Sequence, residues 1–162
     1  MRGPVPRPAV RIAMLTKKGK YGLKALVHLA GLAPGQTAQS VEIARDNNVP
    51  KKFLDAILGE LRVAGMVASR KGKNGGYMLA RPAAEIMAGA AIRVLDGPLA
   101  PIACASRTSY RPCSDCADVE HCAVRLLMAQ VRDVSAKLLD GTSIAGMSRR
   151  DAPSIHGFMD QI

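Results

Sequence analysis

Three features of this sequence predict a mainly α fold. Two short amphipathic helices flank a tight break, a β-hairpin with a basic tip follows them, and a heptad-patterned helix lies near the C-terminus. Together they read as a winged helix-turn-helix with a two-stranded β-wing and a long C-terminal dimerisation helix. A length of 162 residues suits one domain with an extra element rather than two full cores.

Residues 1–13 hold three prolines and three arginines without a helical period, and are read as a disordered leader with Met14 as the expected start. Thr16 suits an N-cap, and Leu23, Leu26, Val27 and Ala30 share one face of the first helix, which Pro34-Gly35 stops. The second helix runs from about Ser40 to Asn47, with Ser40 as cap, Glu42 in the first turn, and Val41 and Ala44 buried. Asn47-Asn48 breaks it, and Pro50 opens the third helix at its first position. Leu54, Ile57, Leu58 and Leu61 form that helix's apolar stripe, and Gly65 ends it.

Met66–Arg70 and Gly76–Leu79 then read as a hairpin, with Asn74-Gly75 supplying the positive-φ turn residues. Arg70, Lys71 and Lys73 cluster at its tip. A short helix is expected over Ile86–Leu95, closed by Gly97-Pro98. In the last strong element Val124, Leu127, Val131, Val134 and Leu138 recur at spacings of 3, 4, 3 and 4, a coiled-coil seam. Little chain remains to cover it, so a second copy is the expected partner. The organisation expected is a DNA-binding unit over 14–98, a cysteine-bearing loop over 99–121, a dimerisation helix with its end segment over 122–147, and a flexible tail over 148–162.

Charge and composition narrow the function. Residues 1–81 carry 15 basic and 4 acidic side chains, whereas residues 82–162 carry 8 and 9. One half is a polycation, which points to a polyanionic partner. With 3 Tyr, 2 Phe and no Trp, the chain lacks the aromatic platforms of single-strand readers, which leaves duplex DNA. No apolar run is long enough to span a bilayer and no secretory signal is evident, so a cytoplasmic protein with reduced thiols is expected. Nothing suggests a small-molecule substrate.

The start of the third helix is its reading end in a helix-turn-helix. Lys51 and Lys52 can reach phosphate or guanine there, and Phe53 is either a base contact or a core residue. The wing adds cations to the same predicted face. The basic first helix (Lys17, Lys18, Lys20, Lys24) is at least as readily a solvated surface, and the methionines are read as core filling.

All four cysteines, Cys104, Cys113, Cys116 and Cys122, fall within nineteen positions in the pattern C-x8-C-x2-C-x5-C. Four thiolates can hold a tetrahedral ion or a cluster, and the polar loop around them has no other reason to be ordered. Zinc remains open, although a structural zinc knuckle favours two close pairs and only one is present. A metal-free thiol switch is another reading. A dithiol enzyme fits less well, because no βαβ setting surrounds Cys113-x-x-Cys116. His121 could replace one cysteine; His28 and His156 carry no such signal.

From LTKKGKYGLKALVHLA through IARDNNVPKKFLDAIL and RKGKNGGYMLARP to CAVRLLMAQVRD, the chain resembles the Rrf-two family of bacterial winged-helix regulators, which has IscR-, NsrR- and RirA-like members. The resemblance implies a homodimer, a repressor more than an activator, that places its third helix in a major groove and its wing in the flanking minor groove. It also implies an iron–sulfur cluster that senses iron, redox or nitrosative state, held by Cys104, Cys116 and Cys122. The histidine that serves IscR-like members is Arg125 here, and the aspartate of NsrR-like members is Lys20. Cys113 is therefore the expected completing thiol, with 4Fe–4S ahead of 2Fe–2S. Base-reading positions fall on Lys52, Phe53 and Asp55, and the wing's minor-groove arginine on Lys71, where the fork geometry is lost. Ser40 and Asn74 complete the DNA-facing set.

Overall fold

The structure is a computed structural model and describes residues 15–149. The described residues form six α-helices: α1 Lys17–Ala30, α2 Ser40–Asn47, α3 Lys51–Val63, α4 Ala88–Asp96, α5 Ala123–Asp140 and α6 Ile144–Ser148, of which all but α5 contribute to one core. Two strands, β1 Val67–Arg70 and β2 Gly76–Leu79, pair antiparallel with Val67 opposite Leu79 and Arg70 opposite Gly76. The leader expected over 1–13 and most of the tail expected from 148 lie outside the described residues.

The stripe on α3 is buried as its periodicity predicts: Leu54, Ile57, Leu58 and Leu61 are almost fully enclosed. The helix ends in a Schellman motif, with Gly65 at φ +71°, its N–H on the Arg62 carbonyl and the Met66 N–H on that of Leu61. At the preceding break, Asn48 takes φ +52°, the left-handed conformation that asparagine tolerates best after glycine.

The helix starts differ from expectation by one residue. Gln39, not Ser40, is the N-cap of α2, because the Glu42 carboxylate reaches back to the Gln39 N–H at 2.8 Å. Pro50 is the N-cap of α3 and not its first helical residue, with ψ still extended at 124°. Val41 is exposed; on so short a helix the buried side is set by Ile43 and Ala44 in the middle turn.

On α1 the buried face centres on Gly19, Gly22, Ala25, Leu26 and Leu29, while Leu23, Val27 and Ala30 lie only at its margin. The face is turned towards the glycines because α4 comes very close there. A Cβ on Gly19 would strike the Asp96 carboxylate, and one on Gly22 would strike Leu95. Hydropathy reads large side chains, whereas this contact is made where they are absent.

In the wing, Asn74-Gly75 do not supply the positive φ. Gly72 (φ +106°) and Gly76 (φ +155°) do, with Gly75 N–H closing the turn on the Gly72 carbonyl at 2.9 Å. Gly76 is required by a close approach, since a Cβ there would meet the Ala38 carbonyl. Ala38 exchanges two backbone hydrogen bonds with Tyr77, so the residues before α2 act as a third, one-residue strand.

The helix expected over Ile86–Leu95 begins only at Ala88. Ile86 and Met87 are instead held extended by the segment before α6: Ala88 N–H bonds to Thr142 O and Ile144 N–H to Ile86 O, each at 2.8 Å. Through this pairing Ile144, fully enclosed, joins the same core as α1 and α3. The chain therefore leaves the core along α5 and returns to it in α6. Among the described residues no helix is long and apolar enough to cross a membrane.

Candidate functional site

The N-terminal end of α2 stands between the two elements predicted to meet DNA. On one side Ser40 faces Asp55 of α3; on the other, Gln36, Thr37, Gln39 and Glu42 line a polar cleft against Arg70 and Lys73 of the wing. Thr37 Oγ1 donates to the Asn74 carbonyl at 2.9 Å and pins the wing tip. These cleft residues carry no pattern of their own in the sequence and are found only from the fold.

The predicted cations are not equivalent. Lys51 Nζ pairs with Asp55 at 2.7 Å one helical turn on, and that bond, helped by Ser40, holds the Asp55 carboxyl below the usual carboxylate range. Among the described residues Lys52, Arg70, Lys71 and Lys73 make no ion pair, and all four are exposed. Phe53 is 43% exposed and rests edge-on against Tyr21, with ring centroids 5.9 Å apart. It thus lies outside the core. In α1, Lys18 pairs with Glu60 and Lys24 bonds to the Asn47 carbonyl, which leaves Lys17 and Lys20 facing solvent.

The four thiols are linked in series rather than gathered at one point. Cys104 is buried in a 3-10 turn over Ala103–Ala105, while Cys113, Cys116 and Cys122 are half-buried. A hydrogen bond with Cys104, then loss of water and a weaker bond with Cys116, pushes the Cys113 thiol up to about 12. Cys116 Sγ donates to Cys122 Sγ at 3.9 Å. Contacts thus run 104–113–116–122 in chain order.

Cys122 is the N-cap of α5, where the Arg125 backbone N–H bonds to its sulfur and lowers its pKa. Cys116, hydrogen-bonded to Cys122, is shifted up. Asp115, not singled out in the sequence, brings an oxygen within 4.8 Å of the Cys113 and Cys116 sulfurs. Its only sequence signal is its position inside the C-x2-C pair. His121 turns its Nδ1 to Asp118 at 2.9 Å and does not join the thiols.

The donor set fits a soft or borderline metal. A single ion with metal–sulfur bonds of roughly 2.3 Å has a tetrahedral edge of roughly 3.8 Å, close to the observed Cys116–Cys122 spacing. Thiolates on the corners of a larger cluster stand further apart.

Two arginines of α5 hold this loop. Arg125 Nε donates to Cys104 O at 3.0 Å and its Nη1 to Val119 O at 3.2 Å. Arg132 donates to Ala105 O and pairs with Asp133. Two further pairs flank them, Arg107–Asp133 and the two-pronged Arg93–Asp140. In the sequence Arg125 stands out only as the residue in place of a ligand, and Arg132 carries no signal of its own.

No residue of α5 is fully buried. Of the predicted seam, Val124, Leu127, Val134 and Leu138 are exposed and Val131 is half-buried; Leu126, off the seam, is exposed as well.

Known proteins share this arrangement of elements. A family model described as "Rrf2: Iron-dependent Transcriptional regulator" matches residues 15–150. The chain is 40% identical over 144 residues to an rrf2-like HTH-type transcriptional regulator of Rhodobacter capsulatus, across 87% of this chain and 96% of that protein. CymR, the global cysteine regulator of B. subtilis, superposes with a TM-score of 0.70 at 32% identity, over 84% of this chain and 96% of its own. T. potens IscR superposes with a TM-score of 0.67 at 26% identity, over 85% and 87%.

Proposed function

Because this chain belongs to the Rrf2 family of transcriptional regulators, we propose that it binds a specific DNA duplex as a homodimer and reports iron, redox or nitrosative state through its cysteine loop. It is a regulator and not an enzyme. The observation that carries the sensing reading is the run of sulfur contacts that leads from Cys104 to Cys122, the N-cap of the helix that bears the exposed apolar seam.

Lys52, Phe53 and Asp55 at the start of α3 are the residues proposed to enter the major groove. Arg70, Lys71 and Lys73 reach the flanking phosphates, with Ser40 and Asn74 beside them. Lys51 is partly neutralised by Asp55 and contributes less. Two copies of α5 pair along Val124, Leu127, Val131, Val134 and Leu138. Each Leu or Val enclosed there contributes on the order of 1.5–3 kcal/mol, enough in sum to favour a stable dimer.

Cys104, Cys113, Cys116 and Cys122 are the residues proposed to hold an iron–sulfur cluster, which when bound supplies an iron- and redox-responsive centre. Cys122 sits where helix N–H groups favour negative sulfur, and Cys113 completes the set that Arg125 cannot. Loss of ligation frees the loop between Cys104 and Cys122; this loop runs straight into α5, so its order sets the spacing of the two reading helices.

A single zinc ion is the second reading, favoured by the 3.9 Å Cys116–Cys122 spacing. Anaerobic purification followed by iron, acid-labile sulfide and zinc analysis decides between them. Iron and sulfide in equal amounts support the cluster, and one zinc per chain overturns it. Equal DNA affinity and preference with and without the bound group would remove the sensing claim.

A further inference from the structure

We infer that Arg125 and Arg132 are the positioning residues that couple the thiol loop to α5, so that the register of the helix follows the state of the loop. The inference rests on the sensing reading above and deepens it by naming the contacts that carry the signal.

The first ground is how α5 is attached. A helix is ordinarily held to its domain by a buried apolar stripe, but none of the eighteen residues of α5 is fully buried. It packs against α4 and the 3-10 turn that contains Cys104. Its directional bonds to that turn are made by guanidinium groups: Arg125 to the carbonyl of Cys104 itself, and Arg132 to the carbonyl of the next residue, Ala105. The two are seven positions apart, two helical turns, so they project from one face of α5 and grip consecutive peptide units.

The second ground is burial. The Arg132 side chain is only 14% exposed, an unusual place for a guanidinium unless fixed acceptors await it. Ala105 O and Asp133 are those acceptors. Arg125 adds a second grip on the loop at Val119 O, three residues before Cys122. One side chain thus touches the loop at both ends, close to its first and last cysteines. The rigid, planar fork of arginine spreads its donors to make such a bridge; lysine carries its three donors on one nitrogen and cannot span two separated carbonyls as well.

The consequence is mechanical. A change in ligation at Cys104 or Cys122 moves the carbonyls that the fork holds, and no buried apolar stripe on α5 opposes the adjustment. Polar bonds to backbone oxygens break and re-form in discrete arrangements, so the helix takes one seat or another relative to the winged domain.

The test uses the full chain and a duplex selected by the wild-type protein from a random-sequence pool. Affinity is measured for reduced, metal-free protein and for protein reconstituted anaerobically with iron and sulfide. Wild type, Arg125→Met, Arg132→Met and Arg125→Lys are compared; methionine keeps an apolar stem and removes the fork. Wild type should differ about tenfold or more between the two states, within the usual range of allosteric coupling. In both methionine variants the ratio should fall to about threefold or less while binding in one state persists. Arg125→Lys should restore part of it.

A readout free of any bound group accompanies this. In the metal-free protein the Ser106 and Arg111 amides, both bonded to Ala103 O, should exchange with solvent faster in the variants. If Arg132→Met does not fold, the less critical Arg125→Met carries the same comparison. A wild-type ratio that survives in the variants, with unchanged exchange at Ser106 and Arg111, overturns the coupling alone. A wild-type ratio of one overturns the sensing reading and this inference with it.

Discussion

Asp96, the last residue of α4, caps α1 from eighty positions away through Thr16. The Thr16 N–H and hydroxyl donate to its two carboxylate oxygens at 2.8 and 2.5 Å, and the Gly19 N–H adds a third bond at 3.1 Å. Thr16 Oγ1 accepts in turn from the Lys18 and Gly19 amides. A negative group at a helix N-terminus meets the positive end of the macrodipole, so capping and helix–helix docking are one interaction here.

Replacing Asp96 with alanine should therefore cost about 1–3 kcal/mol, since three donors are deprived of a charged acceptor together. Gly19→Ala should be destabilising as well, because its Cβ would strike the same carboxylate. Denaturant unfolding checks both, and wild-type midpoints in the two variants would refute the shared cap.

The two lysines opening α3 should separate on DNA. Lys52→Ala and the wing pair Lys71→Ala and Lys73→Ala should weaken every duplex and reduce the salt slope by roughly 0.9 for each phosphate that is no longer neutralised. Lys51→Ala should do less, because Asp55 already holds its ammonium at 2.7 Å. Affinity titrated against salt concentration measures the difference, and equal slopes for the Lys51 and Lys52 variants would contradict it.

The Arg93–Asp140 pair predicts a pH signature. The Arg93 guanidinium holds the Asp140 carboxyl below its usual range. A depressed carboxyl stabilises the fold above its unfolded pKa, roughly 3.9, and that contribution is lost as pH falls through the folded value. Wild type should accordingly melt above Arg93→Met at neutral pH, by less than about 1 kcal/mol because both side chains are half-exposed. The gap should close as pH drops from about 5 towards 3. A gap constant with pH would assign the effect to the packing of the arginine stem.

Charged residues in the seam should separate the copies without unfolding them. Leu127→Asp with Val134→Asp changes side chains that are exposed in the single chain, so its helical content should be preserved. Sedimentation should then show half the wild-type mass. A variant that keeps the wild-type mass would place the pairing surface elsewhere.

How far these features could be read in advance depends on the range of the interactions behind them. Leu54, Ile57, Leu58 and Leu61, the Gly65 helix end and the Asn47-Asn48 break are legible because a helix repeats every 3.6 residues and a left-handed terminus has few candidates. The clustering of cysteines is equally local. The Asp96 cap, the return of Ile144 to the core and the cleft at Gln36–Glu42 leave no such trace, since each joins residues far apart whose own neighbourhoods look ordinary.

Sequence periodicity and turn chemistry were thus sufficient for the helix-turn-helix and the wing. Folding in three dimensions settled which atoms those parts use. It turned α1 onto its glycines, drew Lys51 into an ion pair with Asp55, and moved the positive φ to Gly72 and Gly76. It also made Arg125 a bridge between Cys104 and Val119. A side chain's type restricts which bonds it can form, but the partner is chosen by packing between distant elements, and that choice has no period along the chain.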